Sequence, residues 1–118
     1  MKWKIMGVVA RGKEWVSVPV TCREEERCLT ALLAGELDHH GARAVMEELD
    51  RRIDEAQPRT LILDLSGLTF TDSSGIAVLL RAHRRMGQVR GSMRVINTPE
   101  QAERVFRAAG LGRMIRFE

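Results

Sequence analysis

The chain has 118 residues, 44% of them hydrophobic and 30% charged, which suits one domain whose core needs neither disulfide nor structural metal. No apolar run approaches the roughly 20 residues that would cross a bilayer. The net charge of +3 is not a nucleic-acid footprint: Lys2, Lys4, Arg11 and Lys13 against Glu14 hold it in residues 1–15, while residues 16–118 balance at 15 basic and 15 acidic side chains without aromatic spacing.

Residues 1–15 read as a basic N-terminal extension, loosely attached, ahead of one domain over residues 16–118. Two lysines and a short apolar run do not make a secretory leader, so a soluble cytoplasmic protein is expected. Val16-Ser17-Val18-Pro19-Val20 alternates like a half-buried strand, with Pro19 placing it at an edge. Arg23–Arg27 reads as a polar turn and Cys28–Ala34 as the second arm of a hairpin. Cys22 and Cys28 lack a metal-ligand or redox spacing and read as small, reduced, apolar strand residues.

Asp38 is placed to cap a helix over about 40–56, with Ala42, Val45, Met46, Leu49, Ile53 and Ala56 on its apolar face. Glu47 with Arg51, and Glu48 with Arg52, stand four apart in the favourable order. His39 and His40 are adjacent, so on a helix they diverge; without a third ligand no metal site is expected. Leu61–Leu65 is a nearly continuous apolar run, as in a parallel strand covered on both faces, and Ser66-Gly67 reads as a turn.

A second helix over about 74–87 follows Asp72-Ser73-Ser74-Gly75, with Ile76, Leu79, Leu80 and His83 as its apolar face. Met93–Ile96 is a further strand. Thr98 as N-cap, Pro99 at the first helical position and Gln101 closing a capping box predict a third helix over about 99–109. Its expected stripe is Ala102, Val105, Phe106 and Ala109, with Gly110 as the stop. Met114–Phe117 closes the chain as a short strand. Strands alternating with helices imply an α/β fold: a mixed, mostly parallel sheet of about five strands with an antiparallel edge hairpin.

Asp72-Ser73-Ser74-Gly75 is the segment with chemical promise. Asp and Ser at a strand-to-helix junction cap the helix, and that alone explains them structurally. A hydroxyl exposed there also suits a kinase, because a helix N-terminus tolerates phosphate. Hydrolase chemistry is disfavoured: no Gly-x-Ser-x-Gly elbow is present, and His83 lies more than two turns beyond Ser74. No phosphate-cradling Gly-x-x-x-x-Gly-Lys occurs either. The chain is therefore expected to be no enzyme and to need no cofactor.

Gly35-Glu36-Leu37-Asp38-His39-His40, Asp64-Leu65, Asp72-Ser73-Ser74-Gly75 and the closing Gly110–Glu118 together resemble the STAS domain of anti-sigma factor antagonists over about residues 17–118. Glu-Leu-Asp-His-His and the Ile-Arg-Phe-Glu ending point to the sporulation members. The basic extension is not typical of the family. The resemblance implies partner switching: the unphosphorylated form binds an anti-sigma factor, a serine kinase of the GHKL type, and frees the sigma factor. Phosphorylation of Ser73, the first serine after the aspartate, switches it off, and a PP2C-type phosphatase restores it. The resemblance also implies a partner surface of Asp38, Asp72, Ser73, Ser74, Gly75, Ile76 and Val105, with no direct nucleic-acid or membrane partner. The alternative it leaves open is a STAS module of a general stress or other partner-switching pathway.

Overall fold

The computed structural model describes residues 4–5, 8–11, 14–17 and 20–118, with side chains described from Cys22 onward. Strands β1 (Lys4–Ile5), β2 (Val8–Arg11) and β3 (Glu14–Ser17) precede β4 (Val20–Glu25) and β5 (Cys28–Leu37). Then come α1 (His39–Ala56), β6 (Thr60–Thr71), α2 (Ser73–Gln88), β7 (Ser92–Ile96), α3 (Glu100–Ala108), a 3-10 turn at Leu111–Arg113 and β8 (Arg116–Phe117). The main sheet runs β1-β4-β5-β6-β7-β8, and β2 pairs with β3 separately. The β5/β6, β6/β7 and β7/β8 pairs are parallel, whereas β4/β5 is antiparallel. The expected five-strand mixed sheet with its edge hairpin is therefore present, and β1 extends the edge beyond it.

Hairpin β4–β5 is tighter than the sequence suggests. The polar turn expected over Arg23–Arg27 shrinks to Glu26-Arg27, with φ of 50° and 64°. Glu25 faces Cys28 directly, so two residues with positive φ close a hairpin whose twist matches its strands. Arg23, Glu24 and Glu25 thus stay in the ladder, where charge protects an edge. The strand expected over Val16–Val20 is divided: β3 ends at Ser17, β4 starts at Val20, and Val18 and Pro19 lie outside the described residues.

Strand β6 is the spine. Leu61, Ile62 and Leu63 are buried in succession, which only a strand covered on both faces permits. Helix α1 packs on β5 and α2, α2 on β6 and β7, and α3 on β6. The turn expected at Ser66-Gly67 is instead a bulge inside a twelve-residue strand. Leu32 pairs with Asp64 but Ala34 with Gly67, and Gly35 pairs with Leu68 but Glu36 with Phe70. Each shift puts one extra residue into β6 and bends it. Gly67 eases the close approach there, since a Cβ would lie 3.0 Å from the Ala34 Cβ and 3.1 Å from the Leu33 carbonyl oxygen.

The helices begin close to where periodicity places them, but two apolar faces, one cap and one set of charge pairs are corrected. On α2 the buried residues are Gly75, Val78, Leu79, Ala82 and Met86; Leu80 is exposed, and Ile76 and His83 are half-buried. Small residues let α2 sit close to its neighbours, so close approach outweighs the size of the side chain. On α3, Ala102 and Phe106 are buried, but Ala109 is exposed because the helix ends at Ala108 and turns at Gly110 (φ 74°). The expected capping box does not form: Pro99 occupies the N-cap without a side-chain bond, the Thr98 hydroxyl is buried without a partner among the described residues, and Gln101 reaches elsewhere. On α1 the charges pair in a different register, with Arg51 reaching Glu48 and Glu55, Arg52 reaching Glu55, and Arg43 reaching Glu47. Cys22 and Cys28 are free thiols in β4 and β5. Among the described residues no helix is long and apolar enough to cross a membrane.

Candidate functional site

Strands β5 and β6 end side by side, with Leu37 and Thr71 as register partners. The residue after each strand is an aspartate, and each aspartate caps a helix. Asp38 Oδ1 accepts from the His40 and Gly41 amides at 3.0 and 3.2 Å. Asp72 Oδ1 accepts from the Ser74 amide at 2.8 Å, and its carbonyl accepts from the Gly75 amide at 3.0 Å. The register of the sheet thus brings two helix N-termini to one edge. Each N-terminus carries a partial positive charge, and each is met there by its own capping carboxylate.

Ser73 is the first residue of α2 and is exposed; Ser74 behind it is half-buried. Asp38 and Asp72 are half-buried. Gly75 is buried, and a Cβ there would lie 2.0 Å from the Thr71 hydroxyl oxygen, so only glycine fits. Ile76 and Val105 are half-buried and lean on the core, each leaving part of its apolar surface outside. Beside Ser74, between α1 and α2, opens a cleft of about 480 Å³ lined by His39, Ala42, Met46, Ser74, Ala77 and Arg81, among others. Arg81 crosses to Asp50 with bonds of 2.5 and 2.9 Å. Those hydrogen bonds and then the Asp50 charge hold its guanidinium above the usual range. Arg85 reaches Asp54 in the same way, so the helix pair is laced together away from the caps.

Three contributors are not evident from sequence. The first is Thr71, fully buried, whose hydroxyl donates to the Leu37 carbonyl at 2.9 Å and ties the two strand ends together. The second is Gln101. Its Oε1 accepts from the Thr71 amide at 3.0 Å, and its Nε2 donates to the Thr71 carbonyl at 2.8 Å. The side-chain amide stands in for a neighbouring strand and fixes the residue just before the Asp72 cap. A glutamine three residues after Thr98 looks like a capping residue, and nothing local signals a partner 30 positions away. Phe70 is the third: an apolar ring, 42% exposed, one residue before Thr71.

Replacing Gln101 with alanine is expected to cost about 1–2 kcal/mol, because both Thr71 backbone groups lose a partner in a half-buried place. Faster amide exchange at Thr71 than in the parent would show the loss locally. Exchange unchanged at Thr71 would contradict the clamp.

A family model described as the STAS domain matches residues 20–118. An anti-sigma F factor antagonist from Lysinibacillus sphaericus is 35% identical over 80 residues, 68% of each chain. The solved structure of the anti-sigma factor antagonist SpoIIAA in its unphosphorylated form is similar, with a TM-score of 0.73 and 27% identity, covering 84% of this chain and 87% of that one. The phosphorylated form of the Bacillus cell fate determinant SpoIIAA gives 0.66 and 26%, covering 84% and 90%.

Proposed function

We propose, for a chain that belongs to the STAS domain family, the role of an anti-sigma factor antagonist switched off by phosphorylation of Ser73. Relatives named as antagonists of the anti-sigma F factor support the role and favour a sporulation pathway. A similar protein solved in both unphosphorylated and phosphorylated forms supports a phosphate as the switch. The observation that carries the residue assignment is the exposed Ser73 hydroxyl at the first position of α2, beside two helix caps.

In this reading the partner surface is the edge formed by Asp38, Asp72, Ser73, Ser74, Gly75 and Ile76, with Val105 on α3 at its margin. The unphosphorylated protein presents a neutral hydroxyl there, flanked by the apolar surface of Ile76. An anti-sigma factor that is also a serine kinase docks on it and releases its sigma factor. The kinase then transfers the γ-phosphoryl group of ATP to the Ser73 oxygen, the hydroxyl proton is lost, and ADP leaves. The added charge of about −1.5 to −2 suits the helix N-terminus, so the fold persists. A surface built to meet a neutral hydroxyl cannot keep its contact with that charge, and the partner dissociates. A PP2C-type phosphatase hydrolyses the ester and restores the hydroxyl.

The protein acts as substrate and ligand rather than as enzyme, in the cytoplasm, without cofactor, nucleic acid or membrane. In this reading residues 1–15 are a basic extension ahead of the STAS domain of residues 16–118, with β1 added to the edge of the domain's sheet. The test is phosphate mapping with Ser73→Ala as its control.

A further inference from the structure

A second concavity lies on the other side of α3 from Val105. It has a volume of about 320 Å³, at the lower end of the roughly 300–1,000 Å³ range of small-molecule sites. Its apolar wall is the pair Phe106 and Phe117, with ring centroids 5.9 Å apart and planes tilted by 31°. Phe106 is 2% exposed and shows only an edge; Phe117 is half-buried and shows more of its ring. Three charged side chains line the same space: Glu103, Arg107 and Arg113.

Their charges are unequal in availability. Arg107 is tied to Glu103 by a hydrogen-bonded ion pair, so these two largely cancel. Arg113 is exposed, and its side chain has no hydrogen bond or ion pair among the described residues. The concavity therefore joins an aromatic wall to one uncommitted guanidinium. A guanidinium is a fork that matches a carboxylate, and it also stacks on aromatic faces. Gly112 forms part of the rim, and a Cβ built there meets nothing within 4 Å.

We propose that this concavity is a binding site for a small aromatic carboxylate, its ring against Phe106 and Phe117 and its carboxylate on Arg113. The site reaches the cap edge through a short path. Phe106 Cε1 lies 3.5 Å from where a Gly75 Cβ would be, so the same ring that walls the concavity backs the first turn of α2. Gln101, on the same helix as Phe106, holds the Thr71 backbone. A ligand that displaces the Phe106 ring changes the surroundings of Gly75 as well.

The test needs no kinase and is independent of the assignment of Ser73. Naphthoate is titrated into the full chain with amide and aromatic resonances followed by NMR, and naphthylmethanol serves as the neutral probe. The expected result is saturable shifts at Phe106, Phe117 and the Gly75 amide. Naphthoate should bind at least about tenfold more tightly than naphthylmethanol, given the strength of charge-assisted bonds. Arg113→Glu should remove that preference, and Gly112→Leu should plug the space and abolish binding by both probes. Both positions are exposed, and the unperturbed spectrum of each variant verifies its fold. Shifts that do not saturate, or naphthoate binding unchanged in Arg113→Glu and Gly112→Leu, would overturn the proposal.

Discussion

Gly75→Ala is expected to destabilise the protein by about 2–4 kcal/mol, although alanine at a helical position ordinarily gains about 1 kcal/mol over glycine. The new methyl would stand 2.0 Å from the Thr71 hydroxyl oxygen and 3.2 Å from its Cβ. Thr71 cannot simply turn away, because it is fully buried and its hydroxyl bonds the Leu37 carbonyl. Nor can the methyl lean the other way, where Phe106 is 3.5 Å distant. Either α2 shifts outward or the Thr71–Leu37 bond breaks, and both disturb the Asp72 cap. Denaturant unfolding measures the cost. Combining Gly75→Ala with Thr71→Ala should recover part of it, since the oxygen at the collision is gone, so the two effects should not add. A loss below about 0.5 kcal/mol for Gly75→Ala, the level of an inert surface change, would contradict this packing.

Ser73→Asp is expected to weaken binding to the anti-sigma factor by about 10- to 100-fold while leaving the fold intact, because an unmatched charge in a complementary interface costs a few kcal/mol. The two halves of this expectation come from different physics. Within the protein, a carboxylate at the first position of α2 faces the positive end of the helix and is stabilising by a few tenths of a kcal/mol up to about 1 kcal/mol. The melting temperature should therefore stay level or rise slightly. In the proposed complex, the same carboxylate would meet a partner surface that accepts a neutral hydroxyl, next to Asp38 and Asp72, which already load this edge with negative charge. Calorimetric titration of the parent chain and the variant against the same anti-sigma factor separates these halves. Equal affinity of the two would remove Ser73 from the interface.

The parts of this arrangement that depend on neighbours in sequence are readable from sequence. Asp38 and Asp72 announce helix starts because capping is a local bond to an amide two or three residues on. The Leu61–Leu65 run announces a central strand because burial on both faces removes alternation. What depends on neighbours in space is not readable. Ser66-Gly67 has the composition of a turn, yet the partner strand holds it as a bulge and β6 continues to Thr71. The face of α2 is set by Gly75, Val78 and Ala82, residues too small to weigh in a pattern of large apolar side chains. Gln101 has the spacing of a capping residue but spends its amide on Thr71, because an unpaired strand end lies within reach. That the two capped helices stand side by side follows from the pairing of Leu37 with Thr71, a register no local motif encodes.

The most direct test is the intact mass and phosphopeptide map of the protein after incubation with an anti-sigma factor kinase and ATP. The account predicts one added phosphate, on the peptide that contains Ser73, and none in Ser73→Ala. A phosphate that persists in Ser73→Ala, or no phosphate on the parent chain, would contradict it.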